Sequence, residues 1–511
     1  MRLLPMRSLA KLLLAAALAA SAAPAWAAEI TVGVPDNLTG LDPADVNDTL
    51  SQSASKLMIQ GLYGFDREMK LIPVLAESYT ANDAATEFTF KLRQGVVFHD
   101  GTPFDAAAVK ANIDRVTDPA NRLKRRSLLE MVDKVEVVDP STVRILLKTP
   151  FGAFINNMAH PGTMMISPAA IAQWGREVGR HPVGTGPFSF VSWNADTLKV
   201  RKNEHYWKPG LPKVDGVTFR SVPENGTRIA MLQAGEAQYI YPVPTEMLQV
   251  VARNPNLTVV NEPSIVARYV SMNTTRKPFD DVRVRQALNY AVDKAAYAKV
   301  VYNGAMSPLD APIPPLLGFH AKQGEYAYDP AKAKALLAEA GYPQGFETEM
   351  WAANNTPATR SLQFLQQQLA AVGVKVTVTP LEAGVMDSRI WTVKPDEAAI
   401  RMYWGGWSSS TGDADWGLRP LFWGKGVPPT LYNTAYYANP DVDKDLEGAI
   451  ATADHDKRGA LYADAQARIW KDAPWIFLGV QNLLAAHSKK LTGLYQIPDA
   501  GLLIEEAALA P

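Results

Sequence analysis

Between Arg401 and Trp416 the chain runs Arg-Met-Tyr-Trp-Gly-Gly-Trp-Ser-Ser-Ser-Thr-Gly-Asp-Ala-Asp-Trp. Trp404, Trp407 and Trp416 offer broad apolar faces, each with one N–H to aim. Ser408, Ser409, Ser410 and Thr411 add short groups that both donate and accept, and Asp413 and Asp415 add negative charge. Apolar walls with a few convergent polar groups make the lip of a binding pocket. A strand ending in a polar surface loop has the same composition, so both readings stand. A zwitterionic ligand needs an acid for its ammonium and cations or N–H groups for its carboxylates. Asp413 and Asp415 are candidates for the first role, Arg125 and Arg268 for the second. Trp404, Trp407 and Tyr269 would exclude water and so strengthen those contacts.

Each candidate has a plainer alternative. Lys124-Arg125-Arg126 is a basic cluster of the kind that sits in solvent. Arg268 could be a surface cation on an edge strand, and its neighbour Tyr269 a core residue. Asp48, followed by Thr49, could open a helix over residues 49–62, whose first N–H groups favour an anion; an ordinary helix cap is the simpler reading.

Catalytic constellations are missing. The 511 residues include no cysteine, so a thiol nucleophile and a disulfide are both impossible. There is no Gly-x-Ser-x-Gly elbow and no His-Glu-x-x-His pair. The seven histidines are scattered, with no two at helical ligand spacing, so a metal site would have to be assembled from distant residues. His99, His160 and His181 read as structural. An enzyme is not expected, and neither is a cofactor.

The elements that must position the candidates are mixed. Residues 401–407 begin as a buried strand, and Gly405-Gly406 lets the backbone bend. Residues 267–272 are a strand carrying Arg268 and Tyr269. Strands at 29–34, 88–92, 142–147, 198–202, 217–222 and 374–378 interleave with helices at 106–116, 227–233, 282–292, 331–340 and 361–372, which makes the fold α/β. Pro182-Val183-Gly184-Thr185-Gly186-Pro187-Phe188 specifies a backbone path such as a crossing between lobes. About 480 residues beyond the leader are too many for one core.

That leader is legible at the start. Arg2, Arg7 and Lys11 lead into the apolar run 12–20, and Ala25-Trp26-Ala27 presents small residues for cleavage, the pattern of a secretory signal peptide over 1–27. The run is too short for a permanent membrane span. Loss of those three basic residues takes the formal charge from −1 to −4, which argues against nucleic acid. An exported, periplasmic protein is expected.

Several motifs together resemble one family. They are Leu75-Ala76-Glu77-Ser78-Tyr79, Phe98-His99-Asp100-Gly101-Thr102-Pro103, the run Pro182 to Phe188, Met231-Leu232-Gln233-Ala234-Gly235, and Met272-Asn273 followed by Val284-Arg285-Gln286-Ala287-Leu288-Asn289-Tyr290-Ala291. In order and spacing they resemble the peptide and nickel class of extracytoplasmic solute-binding proteins that serve ABC importers. The resemblance implies a two-lobed periplasmic-binding-protein fold with an extra inserted domain. A discontinuous first domain would comprise 28–62, 181–263 and 481–511, the inserted domain 63–180, and the third domain, forming the second lobe, 264–480. It also implies a monomer, a short peptide ligand, and an inner-membrane permease with its ATPase subunits. Asn47-Asp48-Thr49-Leu50-Ser51-Gln52, Asp118-Pro119-Ala120-Asn121, Met164 to Ala170, Gly406-Trp407-Ser408 and Ser410-Thr411-Gly412 resemble the branch of the class that takes glutathione. General dipeptides or oligopeptides and a nickel chelate are the alternatives. Dipeptide binders of the class hold the ligand's α-amino group with an aspartate that aligns here with Ser410. The serine suits a ligand whose ammonium is presented differently, as in a γ-glutamyl peptide.

Overall fold

The computed structural model describes residues 28–510, so the signal-peptide reading lies outside the described residues. An eleven-stranded sheet runs through both lobes. In the first lobe Glu29–Val34 pairs in parallel with Gly216–Ser221, and the antiparallel strands Thr197–Lys202 and Phe188–Trp193 follow. In the second lobe Phe346–Ala353 pairs in parallel with Val374–Leu381 and with Met402–Ser408. Helices Val282–Tyr290, Lys294–Tyr302 and Thr356–Ala370 bury their apolar faces here, in a core holding Leu288, Tyr297, Leu365 and Met402. The architecture is α/β, as the interleaved periodicities imply. No helix of the described residues is long and apolar enough to cross a membrane.

Two long antiparallel strands, Leu257–Met272 and Trp475–Ser488, carry the chain from one lobe to the other. Their ladder skips between Pro263 and Val266, opposite Asn482 and Gln481. At that bulge the Ser264 hydroxyl donates to the Gln481 carbonyl at 2.6 Å and accepts from the Val266 N–H at 2.9 Å. A bulge leaves backbone groups unpaired and bends the strand; here one buried serine serves both strands.

Pro182 to Phe188 does not cross between lobes. It returns from the inserted region to the first lobe and packs on the end of helix Thr49–Ser55: the Gly186 N–H donates to the Met58 carbonyl at 2.9 Å. A Cβ at Gly184 or Gly186 would strike the Met58 backbone. The glycines specify the backbone path by allowing this close approach. The helix itself stops at Ser55 instead of continuing to residue 62.

The inserted region holds a four-stranded antiparallel sheet of Ala76–Ala81, Glu87–Leu92, Thr142–Leu147 and Val132–Asp139. Helix Ala106–Thr117 covers it through Val109 and Ile113. Its core is continuous with part of the second lobe, since Phe88, Phe90 and Phe154 share one cluster with Leu418, Phe422, Tyr462 and Trp475.

Candidate functional site

Two cavities adjoin the second lobe, and they differ in what their charges do. The larger, about 940 Å³, lies against the inserted region and is lined by Tyr79, Phe88, Ile155, Phe319, Asp413 and Arg458. Both carboxylate oxygens of Asp413 accept from Arg458 Nη2, at 2.8 and 2.9 Å. Asp413 also caps helix Ala414–Phe422 by accepting from the Asp415 N–H. Burial pushes its carboxyl above the ordinary value and Arg458 pulls it back. Burial likewise disfavours the Arg458 charge, and Asp413 more than offsets that. A guanidinium does not shed its proton, so Arg458 keeps its charge beside this carboxyl. Asp415, one turn from Arg419, receives two parallel N–H bonds from it at 2.8 Å each. Asp413 and Asp415, expected to meet a ligand ammonium, are thus each buried and paired with an arginine.

The second cavity, about 580 Å³, lies at the crossing strands and draws on both lobes. Asn225, Tyr241, Glu246 and Gln496 line it from one side, and Arg268, Tyr302, Thr356 and Arg360 from the other. Arg268 pairs in the ladder with Gly406, and a Cβ there would strike its guanidinium. The glycine thus leaves room for the arginine to lie across the strand. Gln481, beside the bulge, orients Arg268 by accepting from Nε and Nη2 at 3.0 and 2.7 Å. The Trp404 ring lies 5.3 Å from the guanidinium. Among the described residues no carboxylate comes within 4.0 Å of Arg268. The hydroxyls of Tyr241 and Tyr302 and Asn482 Oδ1 are buried in the same wall without completing a hydrogen bond, although Ser53 and Tyr297 stand near the two phenols. An unpaired cation among unpaired buried polar atoms is unsatisfied chemistry, and an anionic oxygen would satisfy it.

Beyond Gly406 the chain turns aromatic. Trp407 packs on Trp416 and Tyr432 with ring centres 5.7 and 4.9 Å apart, and Trp391 meets Tyr403 and Tyr432. The Trp407 N–H is spent on the Trp416 carbonyl at 2.6 Å, so this ring offers a face only. Burial pushes the Tyr403 phenol up to about 12 against the pull of Arg268. Facing Tyr432 stands Arg125, whose Nε and Nη2 donate to the carbonyls of Val46 and Asn47 at 2.9 and 2.8 Å. Burial works against its charge, with Tyr432 and Asp48 opposing that effect. Asp48 is a helix cap: it accepts from the Ser51 N–H at 2.7 Å and from Thr39. Burial raises its carboxyl, and these hydrogen bonds outweigh burial and hold it below the ordinary range. Thr49, the first residue of that helix, is exposed, as is Ser408.

Other expected wall residues belong to the interior. Tyr269 points away from Arg268 and stacks on Trp475 at 3.5 Å, so it is core. Trp404 is buried, with its N–H on the Tyr297 hydroxyl at 3.0 Å. Thr411 is buried and gives its carbonyl to Asn156; Ser409 is buried with an unpartnered hydroxyl. Trp416 is half-buried behind Trp407. Of the expected site residues, Arg268 lines the inter-lobe cavity; Thr49 and Ser408 are exposed, Asp48, Arg125, Trp407, Ser410 and Trp416 are partly buried, and Tyr269, Trp404, Ser409, Thr411, Asp413 and Asp415 are buried.

A sequence model of the bacterial extracellular solute-binding proteins, family 5, matches residues 70–428. The chain belongs to that family. The glutathione-binding protein GsiB of Pectobacterium atrosepticum is 52% identical over 491 residues, covering 96% of each chain. GsiB of Escherichia coli is 50% identical over 498 residues, covering 97% of each. Among solved structures, HbpA2 of Haemophilus parasuis superposes with a TM-score of 0.86 at 28% identity, over 94% of this chain and 100% of that one. DppA of Helicobacter pylori, in complex with the peptide STSA, gives 0.75 at 27% identity, over 94% and 98%. In this family 5 protein, sequence reasoning missed Tyr241, Tyr302, Gln481, Arg360, Trp391 and Tyr432. The bulge is the only local signal for Gln481, and nothing local marks the two orphan phenols. They become visible once the lobes meet.

Proposed function

We propose that the chain captures glutathione, or a similar short peptide, between its lobes and delivers it to the permease and ATPase subunits of an ABC importer. The observation that carries the reading is Arg268, an oriented guanidinium with no carboxylate partner among the described residues, in an inter-lobe cavity of about 580 Å³. That volume suits a small ligand, and a peptide carboxylate matches the guanidinium in charge and planar geometry. The half-identity to glutathione-binding proteins along nearly the whole chain supports glutathione in particular. In this reading residues 1–27 are a cleaved export signal, the mature monomer works in the periplasm, and the lobes hinge at the bulge near Ser264 and Gln481. The domains divide as 28–62, 181–263 and 481–511 for the first, 63–180 for the inserted one and 264–480 for the third. Likeness to a peptide-bound DppA favours general short peptides as the second reading.

Calorimetry with reduced glutathione, α-linked Glu-Cys-Gly, a dipeptide panel and nickel separates these ligands. Glutathione is expected to bind at least about tenfold tighter than its α-linked isomer, a gap of about 1.4 kcal/mol. Equal affinities would make a general peptide binder the better reading, and uptake of nickel alone would remove both.

A further inference from the structure

His160 is 1% exposed, in the inserted region, yet its ring reaches the second lobe. The Gly162 N–H donates to its Nδ1 at 2.9 Å, so Nδ1 carries a lone pair. Its Nε2 stands 3.1 Å from Ser410 Oγ. Burial keeps the ring neutral, and the charges of Arg125 and Lys56 reinforce this. A neutral imidazole with an accepting Nδ1 has its single hydrogen on Nε2, and that hydrogen goes to Ser410. Ser410 then serves as acceptor, and its own hydroxyl hydrogen is left to give away. No second hydrogen bond of that hydroxyl occurs among the described residues, and the residue is only partly buried, three positions beyond Trp407 in the chain.

We infer that His160 is a positioning residue that makes Ser410 a fixed hydroxyl donor into the cleft, so that the ligand atom met at Ser410 is a carboxylate or carbonyl oxygen. This rests on the capture reading above. The arrangement joins two parts of the molecule: His160 comes from the inserted region and Ser410 from the second lobe. The donor is therefore aimed only while the two are in contact. An ammonium could use only the serine's second lone pair and would leave its hydrogen turned elsewhere, whereas an oxygen acceptor takes that hydrogen directly.

Two measurements test the inference. Nitrogen-15 histidine spectra of the unliganded protein should show a neutral ring for His160, protonated on Nε2, unchanged between about pH 5 and 8. The Ser410→Ala spectrum assigns the signal by its shift. A ring protonated on Nδ1, or one that titrates in this range, overturns the inference whatever the protein binds. Calorimetry with reduced glutathione on wild type, Ser410→Ala, His160→Gln and the double variant supplies the second. Loss of a hydrogen bond to a charged oxygen should weaken Ser410→Ala by about tenfold. His160→Gln should weaken binding by a smaller factor, and the double variant should be no worse than Ser410→Ala alone. Additive losses would mean that His160 acts by another route, and unchanged affinity in Ser410→Ala would remove the ligand contact. If glutathione fails to bind wild type, the glutathione reading falls by itself; the dipeptide that binds best then replaces it in the same cycle, and binding by none of the peptides overturns the inference as well.

Discussion

The second lobe meets the rest of the molecule twice, and the two contacts resolve their charges in opposite ways. Against the inserted region, Asp413 and Arg458 close on each other and apolar rings surround them. Two hydrogen bonds to backbone carbonyls reinforce the contact, from the Gly152 N–H to Ile450 at 2.7 Å and from the Asn156 side-chain amide to Thr411 at 2.9 Å. Against the first lobe, Arg268 is held by a neutral glutamine, and two phenols and an amide oxygen complete no bond. The larger cavity belongs to the contact whose charges are satisfied, and the smaller one to the contact whose charges are not. Volume is thus a poor guide to where a ligand goes; unpaired charge is the better one, because burying an unpaired group costs several kcal/mol and persists only where something else satisfies it.

The comparison breaks most decisively at Asp413. Asp413→Asn leaves Arg458 buried without a counter-charge, and the fold should lose about 3–5 kcal/mol in denaturant unfolding. Affinity for glutathione, measured on the folded fraction, should change less than about twofold, well under 1 kcal/mol. Weaker binding at unchanged stability would mean the two contacts have been assigned the wrong way round. Arg268→Gln is the mirror experiment. Calorimetry should show about 2–3 kcal/mol less affinity, from loss of a charged hydrogen-bonding partner, with the melting transition nearly unmoved. A variant that melts early and binds normally would make Arg268 a structural strut.

Much of this contrast was out of reach of the sequence for a physical reason. Strands such as Glu87–Leu92 and Val374–Leu381 and helices such as Ala106–Thr117 were legible because their apolar positions repeat with the period of the element, whereas Phe188–Trp193, Lys294–Tyr302 and Phe346–Ala353 were not read from the sequence. Trp475–Ser488 is different: Trp-Ile-Phe-Leu-Gly-Val is apolar without alternation, as a strand buried on both faces must be. The stretch 401–416 was recognisable as a strand bending into a polar loop. Which of its side chains face the cleft depends on partners far away in the chain: Tyr297 for Trp404, Arg458 for Asp413, Arg419 for Asp415, Asn156 for Thr411. Arg268 and Tyr269 illustrate the limit. Adjacent strand residues face opposite ways, so one of the two had to be interior, and only the stack on Trp475 tells which.

Smaller effects sharpen the picture at the orphan phenols. Tyr302→Phe removes a hydroxyl that completes no hydrogen bond among the described residues, though Tyr297 stands near it, so stability should be nearly unchanged. If the hydroxyl meets ligand, affinity should fall by about 1 kcal/mol, and Tyr241→Phe should behave alike from the opposite lobe. Loss of stability without loss of affinity in both variants would show that the chain, not a ligand, satisfies them.

The smallest expected effect separates the two roles open to Asp48. As a cap it needs only an oxygen acceptor for the Ser51 N–H, which asparagine also supplies. Asp48→Asn should therefore keep most of the stability that Asp48→Ala loses, about 1 kcal/mol. The charge adds a pH signature. The hydrogen bonds from Thr39 and Ser51 outweigh burial and hold the folded carboxyl below its ordinary value of 3.8. The ionised form is then favoured in the folded state, so this contribution is complete above the unfolded value and fades as the pH falls through the lower folded one. Acid unfolding curves of wild type and Asp48→Asn should converge at the low end and separate slightly as the pH rises. A cap with no further duty leaves glutathione affinity equal in the two proteins. A loss of more than about tenfold, or 1.4 kcal/mol, in Asp48→Asn with the melt intact would instead place a ligand ammonium beside this carboxylate. The first lobe would then carry the acid that meets the ligand ammonium, in place of the arginine-paired Asp413 and Asp415.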